Sequence, residues 1–126
     1  MKASFNHLKL FIHLTSFAVA AWSIRAAEIP QRSIETVMEE AMKGSNSLYR
    51  KVSLGQGSEE DAATLLNFFK SLHGETPPHG DKASWDAKTE TLISAVQNVI
   101  DKKTNAISEL QVAGNCKACH RVHKGN

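Results

Sequence analysis

Two cysteines and a histidine lie close together near the carboxyl end of the chain, in the segment Cys116-Lys117-Ala118-Cys119-His120. The pattern C-x-x-C-H is the attachment sequence of a covalently bound c-type haem. On a helix, residues three and four positions apart lie on one side, so both thiols and the imidazole project together. The segment therefore predicts one haem c, bonded through Cys116 and Cys119, with His120 as an iron ligand.

Three other uses of these residues are weaker. A tetrahedral zinc site built from Cys116, Cys119, His120 and His123 would normally draw its second ligand pair from a distant segment. A thioredoxin-like dithiol would lie beside a βαβ unit, of which the chain gives no sign. An ordinary disulfide would leave the histidine that follows the second cysteine unexplained.

The amino-terminal residues are typical of a secretory signal. Lys2 and Lys9 form a positive region, and the mostly apolar stretch from Leu10 to Ile24 follows it. This stretch is shorter than the about 20 apolar residues of a membrane span, which disfavours an uncleaved anchor. Small residues at 18–21 and 26–27 provide cleavage sites, and the later one is favoured. We therefore predict export to the periplasm, where haem of this kind is attached.

Cleavage would leave a signal peptide of residues 1–27 and a mature domain of residues 28–126. Removal of Lys2, Lys9 and Arg25 from the 15 basic side chains leaves 12 against 13 acidic ones, a net charge near −1. This balance gives no indication of nucleic-acid binding. A single domain of this size buries only about two-thirds of its unfolded surface, so a large apolar cofactor would add substantially to its core.

Helical periodicity runs through four segments of the mature chain, and strand-like alternation is absent. The predicted helices cover about 31–53, 58–73, 84–100 and 105–124. The first is interrupted by Gly44 and three small polar residues, so a break there is the alternative to one continuous helix. Short connections between amphipathic helices predict an all-α fold, an antiparallel up-down-up-down four-helix bundle with haem near the end of the last helix.

A sixth iron ligand would have to come from upstream of the motif, because no methionine follows it. The candidates are Met38, Met42, His73 and His79, whereas His123 lies on the proximal side with the motif histidine. In an antiparallel bundle the end of the last helix faces the beginning of the first, which favours Met38 over Met42. The two upstream histidines lie in or beside the Pro-Pro loop, where solvent contact is expected. An open sixth site is the remaining alternative.

The predicted architecture and the position of the motif resemble class II cytochromes c, the cytochrome c′ superfamily of four-helix bundles. The most specific part is C-K-A-C-H at 116–120, followed by a short basic tail. The resemblance implies thioether bonds at Cys116 and Cys119 and proximal ligation by His120. Low-spin members carry a ligating methionine on the first helix, and the segment 34–38 resembles theirs; high-spin members leave the sixth site open.

Function depends on that sixth site. An iron held between His120 and Met38 has no vacant position, and the thioether raises its potential, which favours electron transfer. An open site would instead bind nitric oxide or carbon monoxide. Enzymatic chemistry such as peroxidation would require distal acid–base groups. None is evident beside Met38 on the apolar face of the first predicted helix, so we do not expect an enzyme.

Basic residues follow the motif, and they suggest a type of partner. Lys117, Arg121, His123 and Lys124 would surround part of the haem edge and steer an acidic redox protein towards it. Alternatively, these side chains only solubilise the last helical turn and complement its dipole. A homodimer formed through helix faces is a further possibility that the resemblance raises.

Overall fold

The regular structure of the protein is helical. The computed structural model describes residues 29–125, so the signal peptide predicted at 1–27 lies outside the described residues. Within them no strand occurs, and the predicted all-α class is confirmed. Residues 29–125 contain six α-helices: α1 (Ile34–Val37), α2 (Leu48–Ser53), α3 (Glu59–Gly74), α4 (Lys82–Ile100), α5 (Ala106–Ala113) and α6 (Cys116–His123). A π-helical turn, Met38–Met42, continues α1 directly.

The prediction of one continuous helix over 31–53 is wrong, because the chain breaks at Gly44. This glycine has a φ of +93°, a left-handed conformation that only glycine adopts without steric cost. Helix α2 then begins at Leu48, and the preceding Ser47 caps it by accepting a hydrogen bond from the backbone N–H of Arg50 at 3.2 Å. The left-handed conformation of Gly44 and the cap at Ser47 together favour two short helices over the one continuous helix that the apolar spacing predicts.

Helix α3 begins directly after Ser58, as predicted, and α4 begins close to its predicted start. The side chain of Ser58 accepts from the backbone N–H of Asp61 at 3.0 Å, and the Asp61 carboxylate accepts from the Ser58 N–H at 2.9 Å. This reciprocal capping box satisfies two N–H groups that the first turn leaves unpaired. Asp81 caps α4 through a single hydrogen bond, accepting from the N–H of Ser84 at 2.7 Å. This helix therefore starts two residues before the predicted position.

The predicted last helix, 105–124, is in fact two helices. It is interrupted at Gly114 and Asn115, and the side chain of Asn115 caps α6 by accepting from the N–H of Ala118 at 3.1 Å. The phenol of Tyr49 lies directly against Gly114, where a Cβ atom would overlap it. A contact from a distant part of the chain thus requires a residue without a Cβ atom at the interruption, which periodicity alone does not indicate.

The core lies between α3 and its neighbours. Helix α3 packs against α4, α4 packs against α5, and the short α1 and α2 cover α3. The indole N–H of Trp85 donates to the carbonyl of Leu72 at 2.9 Å, joining α4 to α3 inside the core. The largest fully buried apolar side chains are Phe69, Leu65, Leu72, Leu110, Val37 and Val96. None of the helices in the described part of the chain combines the length and apolar character needed to cross a bilayer.

Candidate haem-binding site

A cavity of about 500 Å³ lies between the first helical segment, α4 and α6. Its lining includes the five residues that the sequence singles out for haem: Met38, Met42, Cys116, Cys119 and His120. Other walls are largely apolar and come from Ile34, Leu72, Pro78, Trp85, Leu92 and Ala113. The fold therefore brings the C-x-x-C-H segment and both first-helix methionines to one cavity, although about 75 residues of chain separate them.

The two cysteine thiols of α6 lie in different surroundings. Cys116, the first residue of the helix, is exposed, and its Sγ donates to the carbonyl of Gly114 at 3.3 Å. Cys119 is half-buried and packs against the core. Burial raises the pKa of the Cys119 thiol, and the positive charge of Lys88 lowers it only in part. Both cysteines are free thiols, so the disulfide alternative is not realised.

The two histidines of α6 have contrasting environments. His120 is exposed and lines the cavity, and within residues 29–125 its side chain makes no hydrogen bond. His123 is only 2 % exposed. Its Nδ1 lies 2.9 Å from the carbonyl oxygen of His79 and its Nε2 lies 3.2 Å from Oγ of Ser84. His120 is thus free to bind iron, whereas His123 has no ring nitrogen left for a metal.

The zinc alternative loses its fourth ligand through these contacts. A metal at this position would need a ring nitrogen of His123, and each nitrogen already has a polar partner in another segment. Within residues 29–125, no group of three or more histidine, cysteine, aspartate or glutamate side chains is arranged to hold a metal ion. A four-ligand zinc site on α6 would therefore have to break the hydrogen bonds of His123.

Of the candidate sixth ligands, the two methionines lie on the cavity and the two upstream histidines do not. Met38 and Met42 begin and end the π turn, are half-buried, and lie four residues apart on one face. His73 is exposed and its Nδ1 lies 2.9 Å from Oγ1 of Thr89. His79 is exposed in the loop before α4. Of these four side chains, Met38 and Met42 line the cavity, and an open sixth site stays the alternative.

Positive charge lies along the cavity. Lys43, Lys88 and Lys124 line it together with a single acid, Glu39, which pairs with Lys43 at 2.8 Å. Lys88 lies one helical turn after Trp85 and one before Leu92, so the spacing of α4 could have marked these residues as one cavity wall. Helix α4 carries no haem motif, so the sequence by itself does not indicate that this face borders the C-x-x-C-H segment.

The predicted basic surface after the motif needs one correction. Lys117, Arg121 and Lys124 are exposed and can present positive charge to a partner. His123 cannot, because its ring is buried and both of its nitrogens are hydrogen-bonded within the fold. The surface that could meet an acidic partner therefore consists of three basic side chains rather than four.

The chain matches no protein-family model, no curated protein and no solved structure. The functional assignment consequently rests on the motif and on the residues that the fold gathers around the cavity.

Proposed function

We propose that this protein is an exported mono-haem c-type cytochrome of the class II kind, which transfers single electrons between redox partners. The observation that carries the proposal is one cavity shared by Cys116, Cys119, His120, Met38 and Met42. Its volume of about 500 Å³ falls among the volumes of small-molecule and cofactor sites, and its walls are largely apolar. A porphyrin, which is flat, apolar and anionic only at its propionates, suits such a space with lysines along it.

The chain's own residues would each have a defined task. Cys116 and Cys119 would hold the macrocycle through two thioether bonds, and the imidazole of His120 would bind the iron from one side. Haem, when bound, supplies the one-electron chemistry. A thioether from Met38 on the other side would leave no position for a gas and would favour the reduced state. The apolar walls would limit water access and so also influence the potential.

The remaining features are consistent with a small soluble electron carrier of this architecture. Short connections join α3 to α4 and α4 to α5, and each of these pairs packs side by side. Such connections favour the up-down-up-down four-helix bundle. The exposed Lys117, Arg121 and Lys124 would accelerate encounters with an acidic redox partner, an effect that weakens with ionic strength. Export to the periplasm through residues 1–27 is part of the proposal.

Covalent haem is tested by producing the full chain together with c-type maturation machinery. Mass spectrometry after denaturation should find one haem retained on a chain that starts near residue 28. The matched control is the double variant Cys116→Ala with Cys119→Ala, from which acidic organic solvent should extract the haem. Wild-type chain recovered without haem under these conditions would refute the proposal.

Electron transfer is distinguished from gas binding by the visible spectra of oxidised and reduced holoprotein. A low-spin iron with two axial ligands, unreactive towards carbon monoxide, is expected for the carrier. A five-coordinate spectrum with rapid uptake of carbon monoxide by the reduced protein would instead assign the cytochrome c′-like gas-binding function.

A further inference from the structure

Side-chain hydrogen bonds connect the last residue of α6, His123, to other parts of the fold. In the described part of the chain, two side-chain hydrogen bonds join this helix to other segments, and both belong to His123. One reaches the loop before α4, at the carbonyl of His79, and the other reaches Ser84 in the first turn of α4. The remaining polar contacts of α6 are local, such as the Asn115 cap. His123 therefore joins the motif helix both to the loop before α4 and to the first turn of α4.

The hydrogen-bond partners determine which tautomer His123 adopts. A backbone carbonyl can only accept, so Nδ1 must carry the proton that is donated to His79. In the neutral ring Nε2 is then an acceptor, and the hydroxyl of Ser84 can donate to it. Both nitrogens are satisfied without a charge, which suits a side chain that is 2 % exposed.

The surroundings of the ring are closely packed. Trp85 meets it edge to face, with ring centroids 5.4 Å apart and an interplanar angle of 77°. Gly80 lies on another side, and a Cβ atom at this glycine would come within 2.7 Å of the Nδ1 atom of His123. Gly80 also has a φ of +77°, so this close approach of the loop backbone depends on glycine. The ring thus occupies a site shaped for it.

We propose that His123 is a positioning residue that fixes α6, and with it His120, relative to the rest of the cavity. The inference rests on the proposed haem function, since it concerns the placement of the proximal ligand. His120 and His123 lie three residues apart on one helix, so they move together when the helix rotates or slides. The two hydrogen bonds of His123, to His79 and Ser84, form a clamp on α6. This clamp therefore sets the distance between the imidazole of His120 and the methionines that line the same cavity.

The test compares His123 variants of the holoprotein that remove its bonds selectively. His123→Phe keeps an aromatic ring and loses both bonds, whereas His123→Asn retains an amide that can donate from the position of Nδ1. We expect covalent haem in both. His123→Phe should weaken the axial bonds, visible as a high-spin fraction and a changed reduction potential, and His123→Asn should restore much of the wild-type spectrum. Ser84→Ala, which removes one bond only, should give an intermediate effect.

A control separates positioning from general loss of stability. Leu65→Ala empties part of the core in α3 and involves no residue that lines the cavity. It should lower the unfolding midpoint at least as much as His123→Phe while leaving the spectrum and potential unchanged. The clamp is overturned if His123→Phe has the wild-type spectrum and potential, or if Leu65→Ala alters them equally. Wild-type chain that carries no haem would instead refute the proposed function itself.

Direct observation of the tautomer gives a measurement that needs no variant. In ¹H–¹⁵N correlation spectra of the reduced, diamagnetic holoprotein, the His123 ring should carry its proton on Nδ1, and this proton should exchange slowly with solvent. A ring protonated on Nε2, or one that exchanges as fast as an exposed histidine, would contradict the clamp even if every substitution failed to fold.

Discussion

Gly114 separates α5 from the motif helix, and replacing it with alanine tests the packing that positions that helix. A Cβ atom there would overlap the phenol of Tyr49. The phenol is fixed by its hydroxyl, which donates to the carbonyl of Leu110 at 3.4 Å. Burial raises the pKa of Tyr49, so this donor stays protonated at neutral pH. We expect Gly114→Ala to displace the phenol and to move the start of α6, where Cys116 lies.

The size of the effect follows from the crowding around Gly114. Inserting a methyl group into a packed site costs about 1–3 kcal/mol. The backbone itself does not oppose alanine, since Gly114 has a φ of −82° and a ψ of 26°. When Tyr49→Ala has already removed the phenol, the same substitution should therefore stabilise the protein by about 0.4–1 kcal/mol, because alanine restricts the unfolded chain more than glycine does. The effect of alanine on the unfolded chain is common to both backgrounds, so the two changes are expected to couple by the crowding cost alone, about 1–3 kcal/mol.

The assay is urea unfolding of wild type, both single variants and the double variant, each as holoprotein and followed by far-ultraviolet circular dichroism. The visible spectrum of each variant reports on the haem environment at the same time. The reasoning predicts that Gly114→Ala destabilises the wild-type background and stabilises the Tyr49→Ala background. Equal effects in the two backgrounds would show that the phenol does not determine the interruption between α5 and α6.

Three other predictions concern the axial ligand, the cofactor and acid stability. Met38→Ala should give high-spin or water-bound iron, abolish the sulfur-to-iron charge-transfer band and lower the reduction potential. Met42→Ala should leave the visible spectrum nearly unchanged, and the reverse pattern would make Met42 the sixth ligand instead. Apoprotein should unfold at a clearly lower temperature than holoprotein in calorimetry, because an empty cavity costs on the order of 24 cal/mol per Å³ in a lysozyme series, and equal midpoints would contradict a haem in the core. A hydrogen bond from the backbone N–H of Ser58 lowers the pKa of Asp61 below its ordinary value of 3.8, so the contribution of Asp61 to stability is present above that value and is lost as the pH falls through the lowered pKa. Asp61→Asn should therefore reduce the pH dependence of the unfolding free energy in this range, and an unchanged pH dependence would argue against the capping box.

The features that could be predicted from the sequence depend on residues close together in the chain. The capping box at Ser58 and Asp61 lies within one helical turn, so the start of α3 follows from local hydrogen bonding. The grouping of Cys116, Cys119 and His120 on one side of a helix likewise follows from their spacing alone. The all-α class follows because the apolar residues recur at helical intervals throughout the mature chain.

The interruptions of the first and last predicted helices have different causes. At Gly44 the sequence left two outcomes open, since a cost of about 1 kcal/mol for glycine is comparable with the gain from a continuous apolar stripe. At Gly114 the phenol of Tyr49 occupies the space, and that contact joins positions 65 residues apart. Gly114 and the capping residue Asn115 are local signals of a helix end, whereas the contact with the phenol depends on tertiary packing and cannot be read from local propensity.

The two histidines of α6 differ for the same reason. His120 and His123 are the same residue type on one helix, and spacing predicts only that they share a side. Their tasks separate because Trp85, Ser84 and the carbonyl of His79 surround one ring and leave the other facing the cavity. Burial and hydrogen bonding depend on which distant segments the packed core brings together, so only the tertiary structure distinguishes the buried, hydrogen-bonded ring of His123 from the exposed ring of His120 that borders the cavity.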